Sequence, residues 1–217
     1  MTAPPAVRPP QQARSRATLY RFLEAAVALL GERRFEDATV AEIARRAGSS
    51  VGAFYARFTD KDALVGYLNQ ELFDSGRASW DAFLDAERWR GRSVAEIVRA
   101  VVGRVVGKRR EHRGLLRALA LYARSQPAPG FLEHATALHR RVHARLRALL
   151  LARRKAIGHP DPGRAIAVGL MLVDSATRDA ILFQEVGGLP RRMSDAALAR
   201  ELTAAWLAYL GVRRERN

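Results

Sequence analysis

The chain has 217 residues, of which 48% are hydrophobic and 27% charged, a composition typical of a globular protein with a sizeable core. It contains no cysteine, which excludes disulfides, thiolate metal sites and cysteine nucleophiles. The formal net charge is +15, and it favours a polyanionic partner such as DNA.

The first segment is rich in Pro and Gln and lacks an apolar core of the length that a signal peptide needs. It predicts a disordered arm over residues 1–13. The most apolar later stretch, residues 165–173, is too short to span a bilayer and runs directly into Asp174. We therefore expect a cytoplasmic protein with no membrane segment.

Apolar residues recur at helical spacing along nearly the whole chain, and no run alternates as a half-buried strand would. The fold class predicted is therefore all-α, with about nine helices. Their expected bounds are roughly 14–30, 40–47, 51–58, 61–89, 94–110, 115–124, 131–157, 164–186 and 194–210.

The second and third helices have the spacing of a helix-turn-helix over about residues 39–58. Thr39 is placed to cap the second helix and Gly48 to end it, while Ser50 can cap the short third helix. Phe54 and Phe58 recur on one face of that third helix and are predicted to be core. In a helix-turn-helix the second helix enters the major groove with its N-terminus first.

The remaining residues of this short helix suit contact with DNA. Gly52 has no side chain, which permits close approach to the DNA backbone, and the small apolar Val51 and Ala53 suit thymine methyl groups. We expect Ser50 to cap the helix or contact a phosphate, and the Tyr55 ring to pack inward with its hydroxyl near a phosphate. The predicted DNA-binding residues are Thr39, Ser50, Val51, Gly52, Ala53, Tyr55, Arg57 and Lys61.

The order of residues across this region resembles the signature of the TetR/AcrR family of transcriptional regulators over about residues 15–65. The resemblance rests on Thr39-Val40, Glu42-Ile43-Ala44, Ala47-Gly48, Ser50, Gly52, Phe54-Tyr55, Phe58, Lys61 and Leu64. It implies a DNA-binding domain, taken as residues 14–60, on a larger helical domain, taken as 61–217. In that family the larger domain binds small ligands and its last two helices form a dimer. Members of this family often have a lysine at the position of Val51, so the resemblance does not predict which bases this protein reads.

The larger domain holds residues that could line a pocket for a largely apolar ligand or could equally be ordinary core. The candidates for ligand binding are Trp80, Phe83, Tyr122, Met171, Asp174 and Thr177. Asp174 and Thr177 stand out because they interrupt an apolar helix, where a polar group must face solvent or be paired. His139 and His143 have a spacing that can hold zinc, but the arginines around them favour a solvated basic face, and we predict no metal or cofactor.

Two stripes on the last two helices could pack between subunits or within one chain. The predicted dimer-interface residues are Ala165, Val168, Gly169, Leu172, Val173, Ala176, Leu202, Trp206 and Tyr209. Dimerisation is favoured because helix-turn-helix proteins read two half-sites about one DNA turn apart.

The function predicted is that of a sequence-specific DNA-binding regulator, a homodimeric repressor released from its operator by a small molecule. Within the same fold, an activator or a regulator without an effector remains open. An all-α enzyme is disfavoured because no Ser-His-acid set or carboxylate pair stands out. A nonspecific DNA-packaging protein is disfavoured because the charge surplus is 3 over residues 1–62 and 12 over the rest.

Overall fold

The computed structural model describes residues 13–32, 37–125, 130–183 and 193–212. Within these ranges the protein is all-α, as predicted, with nine α-helices. They are α1 Ala13–Glu32, α2 Val40–Arg46, α3 Val51–Tyr55, α4 Lys61–Phe83, α5 Val94–Glu111, α6 Arg113–Ser125, α7 Glu133–Leu151, α8 Pro162–Thr177 and α9 Asp195–Tyr209. Of the expected disordered arm, residues 1–12 lie outside the described residues and Ala13 begins α1. No described helix is both long and apolar enough to cross a membrane.

Helix α3 ends at Tyr55 and not at residue 58. Two longer helices are also shorter than predicted, and a 3-10 turn follows each of them. α4 stops at Phe83, and a separate turn, Glu87–Trp89, begins where the Asp85 carboxylate accepts a hydrogen bond from the Glu87 backbone N–H at 2.9 Å. α7 stops at Leu151, before the turn Arg154–Ala156. α8 begins earlier than predicted because Asp161 caps it, and a π-helical turn, Arg178–Leu182, continues it.

The chain divides into two compact units, each described here by itself. Unit 1 comprises Met1–Ser75 and Gly114–Ala135, so it holds the first three helices, the first part of α4 and nearly all of α6. Its core is built around Phe22, whose ring meets the edge of Phe54 at 5.5 Å and of Phe58 at 6.3 Å. Helix α6 adds Leu119 and Tyr122 to the same core. The domain boundary expected after residue 60 stays a prediction.

Unit 2 comprises Gly76–Arg113 and Thr136–Asn217, with α5 packed on both α8 and α9. The inward stripe of α5 is almost entirely valine and isoleucine, and it is fully buried. Helix α8 approaches α9 closely at Gly169, because this glycine has no side chain and lies directly against the indole of Trp206. Small size at this one position is what lets the two helices meet.

Candidate functional site

Helices α2 and α3 form the helix-turn-helix that the sequence predicts, and each is capped by the residue expected. The Thr39 hydroxyl accepts a hydrogen bond from the Glu42 N–H at 3.2 Å, and the Ser50 hydroxyl accepts one from the Ala53 N–H at 3.0 Å. Between the helices, Gly48 has a φ of +56°, which a residue with a side chain rarely adopts. The turn between the two helices is therefore specified locally by one glycine and two caps.

Arginine 21 on α1 also fixes this turn, a contact that the sequence did not reveal. Its guanidinium donates to the Gly48 carbonyl oxygen at 3.2 Å and to the Thr18 hydroxyl at 3.2 Å. The carbonyl at the end of a helix has no intrahelical partner, so a cation there stabilises it. Arg21 and Gly48 are 27 residues apart, and no local pattern could have linked them.

Helix α3 has one buried face and one exposed face. Phe54 and Phe58 are buried completely in the core of unit 1, as predicted. Val51 and Tyr55, which are also on this helix, remain 41% and 56% exposed. A surface of this kind on a five-residue helix is not needed to hold the helix in place, since the two phenylalanines do that.

The expectation that the Tyr55 ring packs inward is wrong. The ring lies on the surface, and it touches the core only edge-on at Phe54, 5.5 Å between ring centroids. The reason is geometric, because neighbouring helical residues point about 100° apart and Phe54 occupies the inward direction. The whole tyrosine side chain, and not only its hydroxyl, is thus available on the exposed face.

Of the other predicted DNA-binding residues, Ala53 is half-buried and packs against the core of unit 1. Gly52 is exposed, and a Cβ placed there would meet only the Ser50 hydroxyl, at 3.9 Å. Arg57 is half-buried and donates to the Ala53 carbonyl at 3.0 Å. The Lys61 ammonium donates to the Ala38 carbonyl at 3.3 Å, just before the cap of α2. An ammonium has three N–H donors, so it can hold more than one acceptor at the same time.

The predicted ligand-binding residues are divided between the two units, and within unit 2 they form two contacting pairs. Tyr122 lies in the core of unit 1, where its hydroxyl donates to the Asp62 carboxylate at 2.8 Å. Met171 is 58% exposed on α8. Trp80 and Phe83 touch each other, edge to face with centroids 5.5 Å apart. The Thr177 hydroxyl donates to the Asp174 backbone carbonyl at 3.3 Å.

Asp174 and Thr177 have partners within unit 2 that explain why they interrupt an apolar helix. The Arg109 guanidinium donates to the Asp174 carboxylate at 2.5 Å and to its backbone carbonyl at 2.6 Å, and it also bonds the Thr177 hydroxyl. His139 Nε2 lies 3.6 Å from the same carboxylate. These polar groups tie α5 to α8, so their presence on α8 does not by itself indicate a ligand.

Four of the nine predicted dimer-interface residues are buried inside a single chain. Ala165, Gly169, Val173 and Trp206 all belong to the packing between α8 and its neighbours, and Trp206 is only 1% exposed. The prediction that these four face a second subunit is therefore wrong. The remaining members of the stripe, Val168, Leu172, Ala176, Leu202 and Tyr209, are half-buried or exposed.

A helix-turn-helix with an exposed second helix, in a chain that also has a larger helical unit, defines a class of DNA-binding proteins. Comparison with known protein families also indicates a DNA-binding protein. Residues 22–68 match the bacterial regulatory proteins of the tetR family, and residues 93–210 match the tetracyclin repressor-like C-terminal domain. The chain belongs to the TetR family of transcriptional regulators and is a DNA-binding regulator, not an enzyme.

Individual relatives agree with this assignment. The uncharacterized HTH-type transcriptional regulator YwcC of Bacillus subtilis (strain 168) is 42% identical over 57 residues, which are 26% of each protein. A Mesorhizobium loti MAFF303099 protein assigned to the TetR family has a similar fold, with a TM-score of 0.69 at 23% identity over 93% of this chain and 98% of its own. A TetR transcription regulator from Haloarcula marismortui ATCC 43049 has a TM-score of 0.65 at 17% identity over 90% and 97%. At these identities the solved structures show the fold alone.

Proposed function

We propose that the chain is a homodimeric, cytoplasmic repressor that binds its operator through α3 and leaves it when a small, largely apolar molecule binds the larger domain. The observation that carries the DNA part is the exposed face of α3. Val51, Gly52 and Tyr55 have no part in the core there, while Phe54 and Phe58 anchor the helix from behind.

We assign the predicted DNA-binding residues to two kinds of DNA contact. Val51 and Ala53 would face the base edges, where small apolar groups suit thymine methyls. Ser50, Tyr55 and Lys61 would contact phosphates, which position a protein on DNA without reading its sequence. Thr39 and Arg57, which lie before and after α3 in the chain, would also contact the DNA backbone.

Substitutions at Tyr55 and Val51 should separate these two roles. Tyr55→Phe removes one hydrogen bond to a phosphate, so we expect binding to weaken by roughly fivefold on every sequence alike. Val51→Lys should instead change which duplexes are preferred, because it alters the group that faces the bases. Selection from a random duplex library, followed by affinity measurements on the winners, checks both expectations. The division of roles fails if both variants weaken all duplexes by the same factor.

For the dimer, we propose the part of α8 and α9 that a single chain leaves uncovered. Leu172 is 45% exposed, and the apolar side chains around it also reach the surface. The proposed interface consists of Val168, Met171, Leu172, Leu202, Ala205 and Tyr209. Such a face would join two copies about a two-fold axis, and the dimer would then have two α3 helices for two half-sites, which lie ~34–36 Å apart on DNA.

Leu172→Glu should convert the dimer to monomers, because the carboxylate would have to be buried without a partner between subunits. Leu121→Glu is the matched control, since Leu121 on α6 is also 45% exposed and lies in unit 1. Sedimentation velocity should show a monomer for the first variant and a dimer for the second. A dimer that survives Leu172→Glu would rule out this face.

Release by a ligand requires that the ligand bind the DNA-free protein more tightly than the DNA-bound one. By linkage, the operator must then weaken ligand binding by the same factor as the ligand weakens operator binding. The experiment is to recover the DNA bound by the purified protein and to screen metabolites for release of that duplex. Equal affinity of the releasing compound for both states would contradict the mechanism.

A further inference from the structure

Three aromatic side chains form a fixed cluster at the end of α4. The rings of Trp80 and Phe83 meet edge to face at 5.5 Å, and those of Phe83 and Trp89 at 5.4 Å. The Trp89 indole N–H also donates to the Phe83 carbonyl at 2.6 Å, which fixes the turn after the helix. Phe83 and Trp89 are buried, whereas Trp80 is only half-buried and keeps part of its indole at the surface.

Two arginine side chains lie over these rings, and they share one of them. The Arg104 guanidinium carbon is 4.6 Å from the centre of the Phe83 ring and 5.0 Å from that of Trp80. The Arg88 guanidinium carbon is 5.3 Å from Phe83 and 5.8 Å from Trp89. Partial burial lowers the pKa of Arg104 from its ordinary value, the nearby charge of Arg88 lowers it further, and the charge of Glu111 partly offsets both effects. The partly buried Arg104 and the exposed Arg88 therefore repel each other.

The neighbouring carboxylates are already engaged with other groups. Glu87 pairs with Arg90 at 2.5 Å, and Glu111 pairs with Lys108 at 2.7 Å. Asp85 caps the turn that follows α4.

Arg104 itself donates only to the carbonyl and hydroxyl oxygens of Ser79, both of which are neutral, and its Nε is buried without a hydrogen-bond partner. Within the described ranges, no carboxylate forms a salt bridge with Arg88 or Arg104. A partly buried cation next to a second, exposed cation, neither with a carboxylate partner, is what an anion from outside the protein would compensate.

We propose that Arg88 and Arg104 form a binding site for a small organic carboxylate whose apolar part packs on Trp80. A carboxylate has two oxygens, so it can accept hydrogen bonds from both guanidinium groups at once and cancel their repulsion. The half-exposed indole beside them offers an apolar surface to the rest of the molecule. The inference rests on the proposed ligand-released repressor, since it names the chemical class of its effector.

The test uses the full-length protein without DNA and octanoate as the probe. We expect saturable binding by calorimetry and a matching change in tryptophan fluorescence, because two of the three tryptophans of the chain lie in the cluster. 1-Octanol has the same alkyl chain without the charge and should bind about tenfold more weakly or less. Inorganic phosphate, which lacks the apolar part, should bind no better than the alcohol.

Substitutions show whether the two arginines are responsible. Arg88→Gln and Arg104→Gln should each weaken octanoate binding by roughly tenfold or more. Arg90→Gln makes the same change of charge two residues from Arg88, but Arg90 is paired with Glu87, so binding should change by less than about twofold. Arg88 is exposed, so its variant is expected to fold even if the Arg104 variant does not.

Three results would overturn the proposal, namely no saturable binding of octanoate, equal binding of 1-octanol, or an equal loss in Arg90→Gln. Release of the operator is measured separately. Octanoate that binds at this site without releasing DNA would contradict the proposed release but leave the site standing. Release by another compound, in a protein that does not bind octanoate, would contradict the site and leave the repressor standing.

Discussion

Gly52→Ala is expected to weaken operator binding by at least tenfold without lowering the stability of the protein. The added methyl group would meet only the Ser50 hydroxyl, at 3.9 Å, so the protein itself accommodates it. Alanine is also the better helix former, which should leave the free energy of unfolding unchanged or raise it by up to about 1 kcal/mol. On the DNA side, the methyl would stand between α3 and the backbone that the helix must approach. Fluorescence anisotropy with the operator and urea unfolding measure the two effects.

Gly66→Ala is the matched control for this prediction. Gly66 is also helical, in α4, and a Cβ there would meet nothing within 4 Å. It should show the same small gain in stability and no change in affinity, because it is not on the α3 face. Operator binding by Gly52→Ala at the level of the unsubstituted protein would contradict close approach at Gly52.

Gly169→Ala is expected to lower the free energy of unfolding by about 3 kcal/mol, the upper end of the usual cost of overpacking. A Cβ at this position would lie 1.8 Å from the Trp206 indole nitrogen, and Trp206 is fully buried and cannot swing away. Either α8 and α9 must move apart or the indole must leave its site. Urea or thermal unfolding measures the loss.

Two further variants show whether this clash is the cause. Gly103→Ala, in α5, meets nothing within 4 Å and should be neutral or slightly stabilising. In the double variant Gly169→Ala, Trp206→Ala the two costs should not add, because removing the indole makes room for the methyl. Additive costs, or a Gly169→Ala protein as stable as the unsubstituted one, would contradict the packing of α8 on α9.

The helix-turn-helix could be predicted because its determinants are local in the sequence. Thr39 and Ser50 cap helices that begin at the next residue, and Gly48 supplies the positive φ of the turn. Phe54 and Phe58 follow the helical period and are buried as that period requires. Each of these features acts within about four residues of its position.

Features that depend on distant residues could not be predicted. The sequence did not reveal that Arg109, 65 residues earlier, accounts for Asp174. An apolar stripe in a sequence also does not indicate whether it packs within its own chain or against a second subunit. For this reason Trp206 was expected at a subunit interface, although it is buried within its own chain. Tyr55 was misplaced for a third reason, since a five-residue helix has room for few inward side chains and Phe54 already fills that position.

The central claim is that α3 reads DNA sequence, and competition between duplexes tests it most directly. The operator is first recovered from genomic fragments bound by the purified protein, and a random duplex of equal length then competes for binding. We expect the operator to bind about 10³-fold more tightly or better, with both affinities falling as salt rises. A random duplex that competes as well as the recovered one would contradict the claim.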